Sequence, residues 1–473
     1  MNKNIDIQIL WFIEHNAREL SVAVITKLLY EKNFGGEVVI LNIYENTASA
    51  LSKYNPKVVI HPFLYKVNQE KATNEILFRW PTAVHINMAW EQIHYPAHLK
   101  IKAPADEIAS NGVIHFAWGK FFVDYLISNN ANEENILITG HPAYSLYKES
   151  YRISKENKYE FAKKYNLDPK KKWLFIPENY RWAFSQHRID MLVEKGGNRS
   201  ELIELVLWSQ QSLKLLLGSL QNFASINSDK YEIILRPRPA NNTSIFTSFV
   251  YDSINDEPKF RIIKDGSVKD WIVVSDVVVS SYSTTLLEAS SISKPIFMYV
   301  PIPIPSSLIC EWYSSVLQIE NIAQVQNIST DSQLEGASWA KNNLIHRWDT
   351  LPIIALILNK CVNFSNPKIL QPIPRFIGCR IFLEKKEHEK DSLDNKTLST
   401  EINKWVNIVN EIDLKGAANA YLGAGQFDKL TPESFQERSK LTLKTRRPKS
   451  VSITEICRYL FFRMKQIFHN RRF

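Results

Sequence analysis

Short apolar runs alternate with segments of helical period from Ile5 to Tyr299, and the count starts twice. Ile5 to Ile13 reads as a buried first strand, Arg18 to Lys32 as a helix with Leu20, Val24, Leu28 and Leu29 along one face, and Glu37 to Leu41 as the next strand. A helix from Ala48 to Tyr54 leads into strands at Val58 to His61, Thr82 to Asn87, Gly112 to Trp118 and Asn135 to Gly140, the last ending at GHPAY. After a polar connector, Tyr151 to Asn166, the alternation restarts. Trp173 to Pro177, Glu232 to Arg236, Phe260 to Ile263, Val277 to Val279 and Ile296 to Tyr299 read as strands, with a long amphipathic helix from Glu201 to Phe223. Strands and helices alternating at this spacing predict α/β doubly wound parallel sheets. Two such runs predict two Rossmann-like domains facing across a cleft.

Short helices are expected at Ser338 to Asn343 and Pro352 to Cys361, and the character changes beyond Pro374. LEKKEHEKDSLDNK (Leu383 to Lys396) is a charge run with the composition of a solvated linker. Thr400 to Ile412 has helical period, and Val451 to Phe468 is amphipathic, with Ile453, Ile456, Tyr459 and Leu460 apolar and Arg458, Arg463 and Lys465 charged. The expected division is an N-terminal domain over 1–165, a second over 166–375, and a charged linker with a basic helical tail over 376–473. At 473 residues the chain is too long for one ordinary core.

The net charge is +9, and LKTRRPK with the terminal FFRMKQIFHNRRF carries a cluster of the excess. Acidic partners are therefore expected: nucleotide phosphates or an anionic membrane surface met by the basic C-terminal helix. Nucleic acid is not, because outside the tail the basic residues are not interleaved with aromatics on one stripe. Cys310, Cys361, Cys379 and Cys457 are scattered with no CxxC, which argues against a zinc site or a disulfide framework and suits a reducing cytoplasm. The first apolar run is too short and too charged for a signal peptide, and no run of about 18 apolar residues would cross a membrane.

In open α/β sheets ligands sit beyond the carboxyl ends of strands. Glu14 follows the first strand in IEHNAREL, where a carboxylate can act as general base toward an acceptor hydroxyl, or as an acid balancing a helix dipole, as Glu19 also could. Glu91 follows another strand in VHINMAWEQIHYP, beside Trp90, His85 and His94, a composition that suits a sugar-binding loop. In the second domain PENYRW places Glu178, Asn179 and Arg181 after a strand, where they can meet a phosphate or form a turn. RPRP presents Arg236 and Arg238 on a loop stiffened by proline, as a phosphate or carboxylate clamp.

VVVSSYSTTLLEA completes that set. Ser280, Ser281, Ser283 and Thr284 offer hydroxyls, and with the turn's backbone N–H groups they would face an anion at the positive end of the following helix. Thr285 and Glu288 have the spacing of a capping box, and Glu288 alternatively grips a ribose. No GxSxG, Walker GxxxxGK[ST] or GxGxxG follows any strand, which argues against hydrolases, P-loop ATPases and ordinary NAD enzymes. No DxD triplet occurs, so no metal is expected, and phosphate neutralisation falls to arginine and helix dipoles.

IEHNAREL, MAWEQ, GHPAY, ILRPRP and VKDWIVVSDVVVSSYSTTLLEASSISKPIFMYVP together resemble the bacterial surface carbohydrate biosynthesis proteins, which are similar to GT-B glycosyltransferases making capsule or O-antigen. The resemblance runs from about Ile5 to Pro305 and is one of pattern. Where that family has an Arg-Pro-His-Pro type of sequence, this chain has Arg236-Pro237-Arg238-Pro239. In GT-B sialyl- and Kdo-type transferases the corresponding His-Pro and Ser-Ser motifs grip the CMP phosphate and base; here Arg238 stands for the histidine while Ser280 and Ser281 remain. The SSYSTT turn also departs from the family's Gly- and Cys-containing version.

The resemblance implies a metal-independent GT-B glycosyltransferase with no cofactor beyond its nucleotide-sugar donor. It would work on the inner face of the cytoplasmic membrane and deliver a sugar, from a donor such as a CMP-linked one, to a lipid-linked surface polysaccharide acceptor. Glu14 or Glu91 would be the base. The rival readings are a GT-B-shaped nucleotide-sugar epimerase or polyol-phosphate transferase, and a non-catalytic glycan-assembly protein.

Overall fold

The computed structural model describes residues 4–67, 71–151, 158–194, 197–238, 241–327, 338–344, 346, 348–364, 393–422 and 424–445. The basic stretch from Val451 to Phe468, the linker as far as residue 392, Pro239, Cys379 and Cys457 lie outside the described residues. Among the described residues no helix is long and apolar enough to cross a membrane.

The first sheet is all parallel, in the order β2-β1-β3-β4-β5-β6. Its strands are β1 (Ile5–Ile13), β2 (Val38–Asn42), β3 (Tyr54–His61), β4 (Val84–Asn87), β5 (Ile114–Ala117) and β6 (Ile136–Ile138). Ile9 to Ile13 are buried without a break, as expected of a central strand covered on both faces. Fully burying Trp11 and Phe12 contributes roughly 2–3 kcal/mol each. Helices α1 (Ser21–Phe34), α2 (Ile43–Lys53), α3 (Lys71–Arg79) and α4 (Lys120–Ser128) connect the strands. α1 stops because Gly35 takes φ +69° and returns its N–H to the Glu31 carbonyl. α2 starts earlier than Ala48 because the Asn42 side chain accepts from Tyr44 N and Glu45 N.

The second sheet is also parallel, β12-β11-β10-β7-β8-β9. It comprises β7 (Lys172–Pro177), β8 (Tyr231–Arg236), β9 (Arg261–Ile262), β10 (Val277–Ser280), β11 (Ile296–Tyr299) and β12 (Gln318–Ile319). α5 (Arg199–Asn227), α6 (Thr243–Ile254), α7 (Val268–Val274) and α8 (Thr285–Ser291) accompany them. Trp271 on α7 is fully buried among Phe161, Tyr165, Trp173 and Phe175, and its Nε1 donates to the Asp265 carbonyl at 2.9 Å.

The chain then returns to the first sheet. α9 (Thr350–Phe364) and α10 (Asn395–Val409) pack on α1, while α11 (Leu414–Leu422) sends Tyr421 Oη to the Ile138 carbonyl at 3.0 Å. α12 (Pro432–Thr442), capped by Thr431, places Arg438 Nη1 2.7 Å from Asn135 Oδ1. Contacts therefore gather the described residues into a first unit from 1–92, 101–146 and 346–473, and a second from 93–100 and 147–345. The expected bounds at 165 and 375 differ from these. The short helix Lys158–Tyr165 belongs with Trp271, α9 belongs with α1, and the described part of 393–445 is docked on the first unit.

Candidate functional site

Each sheet has one place where successive connections leave in opposite directions, and there the strand ends splay to open a crevice. In the first unit it lies between β1 and β3; in the second, between β7 and β10. The predicted site residues fall at these two places and on the loops beside them.

At the end of β1 the chain makes a wide π-helical turn, Asn16–Leu20, before α1. The turn exposes one edge of Arg18 and buries Glu19. Arg18 Nε and Nη2 donate to Glu19 Oε1 at 3.1 and 2.6 Å, and Glu19 Oε2 accepts from Glu14 N at 2.8 Å. Burial pushes the Glu19 carboxyl up, against the pull of the Arg18 charge. Arg18 Nη2 also reaches Glu14 Oε2 at 3.4 Å, and Glu14 Oε1 accepts from Tyr44 Oη at 2.8 Å.

Glu91 arrives from the loop after β4. Ala89 there has φ +44°, a strained conformation for a residue with a Cβ, held by Met88 N to the His61 carbonyl, Ala89 N to Asn87 Oδ1 and Trp90 N to the Pro62 carbonyl. Arg18 Nη1 meets Glu91 Oε1 at 3.4 Å, and Lys102 Nζ contacts Glu91 Oε2. Burial, and then the Arg18 charge, push the Lys102 ammonium down to about 8. Glu14, His15, Arg18, Pro62, Phe63, Tyr65, Trp90, Glu91 and Lys102 line a cavity of about 200 Å³. Both predicted carboxylates therefore share one cavity, joined through Arg18.

In the second unit, β10, β7 and β8 are neighbours, so their three following loops lie side by side. Glu178 is buried at the end of β7, where it ties the loops together. Its Oε1 accepts from Tyr180 N, and its Oε2 from Arg238 N at 3.2 Å and Asn241 Nδ2 at 2.7 Å. Burial raises its carboxyl against these bonds. Asn179 Oδ1 accepts from Arg238 Nη1 at 2.8 Å, and Asn179 Nδ2 donates to the Tyr282 carbonyl at 3.3 Å. Tyr95 Oη and Tyr313 Oη reach the same carbonyl at 3.2 and 3.5 Å. Arg181 is exposed beside them, with the charges of Arg188 and Arg238 nearby.

The two arginines of RPRP take different partners and do not act as a pair. Arg236 is buried, and its Nη2 donates to the Gly266 carbonyl at 2.8 Å, because a guanidinium taken out of water needs an acceptor and the 265–266 turn supplies one. In the serine turn, Ser280 Oγ donates to the Pro177 carbonyl at 2.5 Å and pins the end of β10 to that of β7, and Ser281 is buried. Ser283 Oγ bonds Thr285 Oγ1 at 3.1 Å and accepts from Thr285 N at 3.3 Å. The capping box expected of Thr285 and Glu288 is absent. Thr284 is the N-cap with no side-chain bond, and Glu288 turns inward to accept from Tyr147 Oη at 2.8 Å.

Five contributors escaped the sequence reading: Arg18, Tyr44, Lys102, Tyr95 and Tyr313. Arg18 carried one usable signal, its position four residues beyond Glu14. Lys102 and Tyr95 sit in loops and Tyr313 in a single 3-10 turn, Glu311–Ser315, none with a period that a sequence shows.

No family model matches the chain, and no curated protein matches it. Among solved structures, it is similar to a Listeria monocytogenes protein described as a UDP-N-acetylglucosamine 2-epimerase, at 11% identity over 75% of this chain and 96% of that one, with a TM-score of 0.50. It is similar at the same TM-score to the wall teichoic acid polymerase TagF, at 12% identity over 75% of this chain and 89% of that one. A variant of the same polymerase soaked with CDPG gives 13% identity, 75% and 88% coverage and again 0.50. At such identities the likeness speaks for the fold, and with two parallel six-stranded sheets and interleaved helices that fold is GT-B, built from two Rossmann-like domains.

Proposed function

We propose that the chain is a GT-B glycosyltransferase that moves a sugar from a nucleotide-sugar donor to a lipid-linked surface polysaccharide acceptor. The observation that carries this reading is the convergence of three neighbouring loops in the second unit on Glu178 and the Tyr282 carbonyl, which leaves Arg238, Asn179 and Arg181 at the crevice end of the sheet. A planar guanidinium held as that of Arg238 is, with the exposed Arg181 beside it, suits the phosphates of a nucleotide and the charge that builds on them as the glycosyl bond breaks. Ser280, Ser281, Ser283 and Thr284 shape the turn beside them, and Arg236 and Glu288 support the site from within.

The first unit takes the acceptor, with Glu14 or Glu91 as base. Glu14 has the better-ordered surroundings, because Tyr44 and Arg18 orient its carboxylate. The basic tail would hold the enzyme at the inner face of the cytoplasmic membrane, near a lipid-linked acceptor. A polyol phosphate could ride the same donor residues, and product analysis separates the two chemistries.

The test is a thermal-shift screen of the full chain against CMP, UDP, GDP and CDP derivatives. A donor nucleotide that binds only the folded state at 100 times its dissociation constant adds about 2.7 kcal/mol. One nucleotide family is expected to raise the melting temperature. No shift with any of the four overturns the reading.

A further inference from the structure

We propose that the first unit's cavity is a subsite for an anionic group on the acceptor sugar, a phosphate or a carboxylate, and that Glu91 holds the place which that group takes. This deepens the acceptor assignment above and rests on it.

Of the charged side chains that meet here, Glu91 is the most exposed. Glu19, fully buried, engages Arg18 through Nε and Nη2, which leaves the Nη1 edge to meet Glu91 at 3.4 Å. Lys102 approaches from a separate loop with only 16% of its side chain exposed, whereas Glu91 is 51% exposed. Arg18, at 30% exposed, keeps Glu19 and Glu14 as partners when Glu91 turns toward water. Lys102 would then lose its contacting carboxylate while it faces the Arg18 guanidinium, so an incoming anion is favoured at that point. Burial already pushes the Lys102 ammonium down to about 8, the mark of a cation that lacks full compensation.

The walls select a sugar over a bare ion. Phe63 and Tyr65 stack with centroids 5.9 Å apart, and Trp90 lies beside them in the lining. Aromatic faces match the apolar C–H faces of a pyranose ring. At about 200 Å³ the cavity is smaller than a site for a drug-sized ligand, and fits one ring or its charged substituent. Displacement also follows from simple competition: an internal carboxylate occupying the subsite weakens a ligand by the fraction of time the subsite is open.

The experiment is calorimetric titration of the full chain with glucose 6-phosphate, glucuronate and glucose. Glu91→Gln, which removes the internal anion but keeps its shape, is expected to tighten binding of a charged sugar about tenfold or more and leave glucose unchanged. Lys102→Gln is expected to weaken the charged sugar about tenfold. Whichever charged sugar binds more tightly tells phosphate from carboxylate. The proposal falls if Glu91→Gln binds both charged sugars no more tightly than the wild type, or if glucose binds as well as they do. Because Glu91 is half exposed, its variant carries the test even where Lys102→Gln melts early. A charged-sugar response without any nucleotide shift would leave this subsite standing and remove the donor assignment; the reverse pattern would do the opposite.

Discussion

Arg238 Nη1 donates to Asn179 Oδ1 over 2.8 Å while the backbone N–H of the same arginine donates to buried Glu178, so the loops after β7 and β8 are joined twice through one residue. The two bonds separate folding from binding. The main-chain bond survives any substitution other than proline, whereas the side-chain bond and the guanidinium charge do not. Arg238→Ala is therefore expected to keep the melting temperature of the wild type and lose the nucleotide-induced shift. Its donor Michaelis constant should rise about tenfold to a hundredfold, the range of a charge-assisted hydrogen bond worth roughly 1.5–3 kcal/mol. Wild-type donor kinetics in this variant would remove Arg238 from the site.

Glu288 offers a pH signature. Burial pushes its carboxyl up to about 7 from an ordinary 4.5, and the bond from Tyr147 offsets this only in part. Below about pH 4.5 the group is protonated whether the chain is folded or not, so its contribution is fully present. Between about 4.5 and 7 the unfolded chain has released the proton and the folded chain has kept it, so stability falls as pH rises through that window. The loss is on the order of 2–3 kcal/mol. Urea unfolding at pH 5 and pH 8 should show the wild type losing ground to Glu288→Gln, whose amide does not titrate. An unchanged difference between the two proteins would place the carboxyl in water.

The strands were readable because β-branched runs such as Val277 to Val279, whose Val278 and Val279 are fully buried, leave little else for a sequence to do. β12 escaped because two residues, Gln318 and Ile319, carry no period. Glu14 and Glu91 were found by their place after strands, yet their mutual engagement through Arg18 spans a fold and has no sequence pattern. RPRP misled in one respect. Spacing made Arg236 and Arg238 look like a pair, and the acceptor at Gly266 separated them. The TxxE at Thr285 misled for a related reason: Ser283 reached the Thr285 N–H, and Tyr147 offered Glu288 a better partner inside.

GHPAY marked the end of the first sheet in the sequence, and the structure supplies the physical reason for its glycine. Gly140 has φ +89°, and a Cβ there would lie 2.7 Å from Thr350 Oγ1 and 3.0 Å from His346 Cδ2. The returning segment needs that space. Thr350 Oγ1 and Trp348 Nε1 both donate to the Thr139 carbonyl, at 3.0 and 2.9 Å, and His346 Nε2 lies 2.7 Å from the Trp118 carbonyl. Gly140→Ala adds left-handed strain of about 1–2 kcal/mol and displaces Thr350 from a bond worth about 1 kcal/mol more. A loss of roughly 2–3 kcal/mol in urea unfolding is expected. Gly218, inside α5 with nothing within 4 Å of its added Cβ, is the matched control, and its alanine variant should gain about 0.5–1 kcal/mol from helix propensity. Equal stabilities for the two alanine variants would show that the seat of α9 against β6 does not depend on the glycine.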